Sequence, residues 1–158
     1  SPSKDKNQMW RVLARLVAGQ LKGRTTNLGA ALYAVRQRLR QRALCVIVSD
    51  FLATDFERPF RGVVQRHDVV PVCVDDPTDR EIPITGLVHL EDLESGAIVL
   101  VDGADDSFQH HYRESRSEAE LARRRIFQNL GVNPIMVSTD RPYIVPIKRY
   151  FQSRGQGR

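Results

Sequence analysis

With 158 residues, 41% hydrophobic and 27% charged, the chain is long enough for one α/β domain with an ordinary core. No apolar run approaches the roughly 20 residues of a membrane-spanning helix, and no signal-peptide pattern opens the sequence. The excess of 24 Lys and Arg over 19 Asp and Glu leaves a net charge of +5, which permits an anionic partner without naming one.

Residues 9–21 carry Trp10, Leu13, Leu16, Val17 and Leu21 at helical spacing, closed by Gly23. A second amphipathic helix follows, with Leu28, Ala31, Leu32, Val35 and Leu39 on one face and Thr26 as its expected N-cap. Residues 43–50 form the most apolar run in the chain and read as a central strand buried on both faces. Thr54 and Glu57 have capping-box spacing, which predicts a helix to about residue 66. The second strand covers 68–74, where Pro71 suits an edge or a bulge. An irregular link, residues 77–86, leads to a predicted hairpin of residues 87–93 and 97–101. A long helix from near Ser107 ends at Leu130 with Gly131 as its C-cap, and residues 134–140 form the third buried strand. A last short helix carries Tyr143, Ile144, Ile147, Tyr150 and Phe151, and residues 153–158 are expected to be a disordered tail.

This order predicts an α/β fold: a Rossmann-like parallel sheet flanked by helices, with an inserted β-hairpin, in one domain over residues 1–152. The apolar runs end in Ser49-Asp50, Asp75-Asp76 and Ser138-Thr139-Asp140, so parallel strands would gather these groups at the carboxyl edge of the sheet. Open α/β folds build ligand sites there. By residue type alone, Thr26 and Asp50 serve as well for capping as for metal binding, and Asp75, Asp76 and residues 138–140 read as caps and turn formers. His67 and His89 stand alone, while the adjacent His110 and His111, early on the long helix, read as polar surface residues. No catalytic triad, Walker loop or dinucleotide turn occurs. Cys45 and Cys73 read as small core residues in a reducing, cytoplasmic setting. Arg36, Arg38, Arg40, Arg42 and the arginines at 123–125 read as solvated helix faces, because no aromatic residues alternate with them as nucleic-acid binding would require.

Gly23-Arg24-Thr25-Thr26-Asn27-Leu28-Gly29-Ala30-Ala31-Leu32, followed by Cys45-Val46-Ile47-Val48-Ser49-Asp50-Phe51, resembles the second half of a von Willebrand factor A domain. Val48-Ser49-Asp50-Phe51-Leu52, Arg66-His67-Asp68-Val69-Val70, Leu90-Glu91-Asp92-Leu93-Glu94-Ser95-Gly96 and Ser138-Thr139-Asp140 are similar to one bacterial A-domain-like family, the domain of unknown function numbered fifty-eight. The similarity covers residues 10–154. It implies that Thr26 and Asp50 derive from a metal-ion-dependent adhesion site for Mg²⁺, with an Asp-x-Ser-x-Ser element expected upstream of residue 1. On that reading this chain is the C-terminal part of a larger domain and binds Mg²⁺ weakly or not at all. The resemblance further implies a non-enzymatic protein-interaction module working with a MoxR-type AAA+ ATPase. The alternative is a Mg²⁺-dependent phosphoryl-transfer or receiver-like enzyme with Asp50 as acceptor, against which stands the lack of a lysine at the end of the third strand. An unpaired apolar edge at residues 45–48 predicts a homodimer, and neither nucleic acid nor membrane contact is expected.

Overall fold

The computed structural model describes residues 6–18, 27–53, 55–80, 86–91 and 96–155. Its elements are α1 (Lys6–Ala18), α2 (Leu28–Arg38), β1 (Leu44–Ser49), α3 (Glu57–Val64), β2 (Asp68–Asp75), a 3₁₀ turn at Pro77–Arg80, β3 (Leu87–Glu91), β4 (Ile98–Asp102), α4 (Asp106–Asn129), β5 (Ile135–Ser138) and α5 (Ile144–Gly155). The strands β1, β2 and β5 form a parallel sheet in the order β1–β2–β5, while β3 and β4 pair antiparallel as a separate ribbon. The expected mixed α/β architecture is therefore present, with Cys45 beside Val69 and Cys73 beside Met136 in the sheet.

Side chains of one sheet face, Cys45, Val69 and Cys73, pack with Leu28 and Leu32 of α2, Phe60 and Val63 of α3 and Phe127 of α4. The other face buries Val70, Val72 and Ile135 against Ile147 and Tyr150 of α5. A parallel sheet needs cover on both faces, and β2 has it. The first strand does not. It lies at the sheet edge among the described residues, and Leu44, Val46 and Val48 are 55%, 53% and 64% exposed. The edge position agrees with the unpaired apolar edge expected at residues 45–48, whereas the expected burial of both faces is corrected: α5 reaches β2 and β5 but leaves this stripe of β1 open. The reverse correction applies to β2, which is central despite Pro71. The ladder to β5 starts only at Val72, so Pro71 is paired on the β1 side alone and its missing N–H falls where the sheet is locally two-stranded.

The helix ends show which local signals acted. The N-cap of α2 is Asn27, whose Oδ1 accepts a 2.7 Å hydrogen bond from the Ala30 N–H; it is not Thr26, which lies outside the described residues. At α3 the cap position belongs to Phe56, with no side-chain cap bond, and Thr54 also lies outside the described residues. The Phe56 ring at that start is buried. Asp105 caps α4 by accepting from the Ser107 N–H at 2.8 Å, and Gly131 follows its end with φ +63°. The last helix continues through Ser153, Arg154 and Gly155, where a disordered tail is expected from sequence. Its end is held because Arg154 donates to Asp68 at 2.5 Å and lies over the Tyr150 ring. Both His110 and His111 are exposed, as expected of polar surface residues, and the neighbouring Gln109 is the buried residue, donating to the Gly103 carbonyl at 3.0 Å.

Candidate functional site

The parallel sheet brings Asp50, Asp75-Asp76 and Ser138-Thr139-Asp140 to one edge, as the endings of the strands require. Directly after β1 the chain turns inward. Phe51 adopts φ +56°, a left-handed conformation that costs a non-glycine residue about 1–3 kcal/mol. Its ring is 1% exposed and packs edge-on against Phe56, Phe60 and Phe127 at centroid distances of 5.2–5.9 Å. Aromatic burial holds the strained turn, and the turn aims the Asp50 side chain at solvent. Asp50 Oδ1 accepts from the Leu52 N–H at 3.2 Å and the Ser49 hydroxyl at 3.3 Å, while Ser49 Oγ accepts from the Phe51 N–H at 3.1 Å. The Oδ2 atom makes no hydrogen bond among the described residues. A hard cation takes single carboxylate oxygens of this kind as ligands. The other residue of the expected metal pair, Thr26, lies outside the described residues. Among the described residues no three Asp, Glu, His or Cys side chains come together as a metal cluster.

Beneath Asp50 lies a residue that the sequence reading places on a solvated helix face. Arg123 of α4 is only 3% exposed. Its Nη1 donates to the Asp50 carbonyl at 2.6 Å and to Asp75 Oδ1 at 3.1 Å, and its Nη2 donates to Asp75 Oδ1 at 3.1 Å and Oδ2 at 3.4 Å. One guanidinium thereby ties the ends of two strands to a helix. The buried charge is tolerated because a carboxylate and a carbonyl satisfy it. The available signal is periodicity: Arg123 sits four residues before Phe127 and four after Ala119, inside the apolar stripe of α4. Arg80 also approaches Asp75, at 3.5 Å, so Asp75 serves as an ion-pair anchor where the sequence suggests a cap.

Asp76 and Asp140 behave as the expected turn formers. The hydroxyl of Thr78, then its N–H, hold the Asp76 carboxyl below the usual range, with a further contribution from the Thr139 hydroxyl. Asp140 is lowered chiefly by the hydroxyl of Ser138, which donates to it. A cleft of about 700 Å³ opens beside this rim, lined by Asp75, Arg80, Arg124, Asp140 and Arg141 with Met136 and Val145 on its apolar side. The edge is thus a mixed-charge surface on which the carboxylates of Asp50 and Asp140 are both exposed. Both cysteines are buried and free, and desolvation pushes the Cys73 thiol up to about 11, so neither is placed as a nucleophile.

Known proteins similar to this chain include the uncharacterized protein Rv1480 of Mycobacterium tuberculosis, 34% identical over 136 residues that cover 83% of this chain and 41% of the relative. The uncharacterized protein MAV169 of Mycobacterium avium is 32% identical over 136 residues, covering 83% of this chain and 78% of that protein. The chain spans about two fifths of the length of the first of these relatives. No solved structure shows significant similarity to it. Residues 1–122 match the family described as "Protein of unknown function DUF58", and the chain belongs to that family.

Proposed function

We propose that the chain is a non-enzymatic protein-interaction module of von Willebrand factor A-like type, acting at the end of β1. The observation that carries this reading is the pairing of an open apolar strand edge with a free carboxylate oxygen at its end. Leu44, Val46 and Val48 offer an apolar stripe beside the unpaired backbone of β1, and Asp50 Oδ2 stands beyond it. In this reading Asp50 and Thr26 would supply two oxygens toward Mg²⁺, and the ion would supply an open position for a partner's carboxylate. Arg123 and the Asx turn keep the Asp50 backbone and one oxygen in place, which leaves the other oxygen free to serve a ligand.

The partner proposed is a MoxR-type AAA+ ATPase, a reading that rests on family resemblance. Co-elution of the protein with such an ATPase, with and without Mg²⁺, tests it. Mg²⁺-dependent co-elution that Asp50→Ala abolishes is the expected outcome; binding indifferent to both the ion and the substitution removes the metal from the proposal. A homodimer through β1 belongs to the same reading, since a second strand would cover the open backbone. Stable labelling of Asp50 by acetyl phosphate would favour the receiver-like alternative instead.

A further inference from the structure

A second concave site lies at the opposite, amino end of the sheet, where the loops after α2 and α3 enter β1 and β2. The cavity there, about 480 Å³, is lined by Arg36, Arg40, Arg42, Arg66, Gln41 and His67 among others, and among the described residues no carboxylate lines it. None of these four arginines makes an ion pair among the described residues. The nearby Asp68 is already engaged by Arg154 at 2.5 Å. His67 is 5% exposed, and neither of its ring nitrogens has a hydrogen-bond partner among the described residues. Both nitrogens are closed to solvent, so the imidazole forms part of the cavity floor and the arginines form its charged wall. Arg36 is also given room: a Cβ at Gly62 of α3 would stand 3.2 Å from its Nη1.

Arginines near helix C-termini have an ordinary explanation, because cations offset the carbonyl end of the helix dipole. Magnitude decides against that as the whole account. The ends of α2 and α3 contribute roughly half a negative charge each, about one unit in total, against four guanidinium charges on the cavity wall. A surplus near three positive charges remains, in a concavity that concentrates its field.

We infer that this cavity binds a phosphate group carried on a small polar molecule. Guanidinium forks match the spacing of phosphate oxygens, and several of them converging on one anion distinguish phosphate from a lone carboxylate. The volume exceeds that of phosphate alone and falls in the range of small-ligand sites. Its concave form suits a compact anion better than a nucleic-acid duplex, whose backbone needs an extended basic face. The site is separate from Asp50, so its failure and the failure of the interaction reading are distinguishable.

Pyrophosphate is the probe, added to the purified protein at low salt and followed by ³¹P line broadening and calorimetry. Saturable binding at one site is expected. Arg40→Gln and Arg66→Gln should each weaken it about tenfold, the loss of roughly one charge-assisted hydrogen bond. Arg149→Gln on α5 removes the same charge at a distance and should change affinity less than twofold. Non-saturating binding, or equal weakening by Arg40→Gln and Arg149→Gln, would show diffuse attraction to net charge and overturn the site. Retardation of duplex DNA that pyrophosphate fails to displace would overturn it in favour of a nucleic-acid surface.

Discussion

Replacing Arg123 by Met tests the arrangement that holds the carboxyl edge together. Methionine fills the same channel with a flexible apolar stem, so the loss is mainly that of the guanidinium. Four hydrogen bonds go with it, one to the Asp50 carbonyl and three to the Asp75 carboxylate. Breaking one side of a buried ion pair costs about 3–5 kcal/mol, because the remaining charge is left without a partner. Asp75 retains 19% side-chain exposure, so water relieves part of that charge and the lower figure, about 3 kcal/mol, applies. Arg80 is 57% exposed at 3.5 Å and cannot take over. For a chain of this size the loss corresponds to a fall in Tm of about 6–12 °C. Urea unfolding followed by circular dichroism measures it, with an unchanged m-value showing that the native fold persists. Arg123→Met combined with Asp75→Leu removes both charges and should be less damaging than Arg123→Met alone. A cost below about 1 kcal/mol for Arg123→Met, or a double variant as unstable as the sum of the single ones, would refute the assignment of Arg123 as the buried tie between β1, β2 and α4.

Other consequences follow from the same geometry. Val46→Lys places a charge on the open β1 stripe, and light scattering should then report a monomer if the proposed homodimer forms through that edge. Phe51→Ala removes the ring at the centre of the aromatic cluster and should cost about 3–5 kcal/mol in the same urea assay. The carboxyls of Asp76, Asp105 and Asp140 are held below their ordinary values, so their stabilising contribution is present above about pH 4 and is lost as pH falls through the lower folded values. Asp105→Asn should therefore reduce the acid sensitivity of Tm. Burial raises the Cys73 thiol to about 11, so its contribution is intact below the unfolded thiol range and is lost as pH climbs toward 11. At pH 8 the native protein should resist alkylation at Cys73 and the urea-unfolded chain should not, as mass spectrometry would read.

Much of the local order is legible in the residues. The three apolar runs, the alternation of helices between them, and Gly131 as a helix stop all have short-range causes in hydrophobic period and backbone freedom. Helix caps were less legible. Thr26 and Asn27 are adjacent cap formers, and α3 starts after Phe56, a buried residue that makes no side-chain cap bond. At the candidate site, the gathering of Asp50, Asp75 and residues 138–140 follows from parallel strands once those are inferred.

The amino-acid sequence by itself determined the element types and their order, since each depends on neighbours a few positions away. Only the tertiary structure decided that Leu44, Val46 and Val48 lie uncovered on one face of β1, because cover depends on which distant segments pack where. It likewise decided that Arg123 is a buried tie rather than a surface charge, and that His67 meets an arginine-lined cavity. Those outcomes are set by contacts between residues 48 and 73 positions apart in the first case and by two separate loops meeting in the second, distances over which hydrophobic period carries no information.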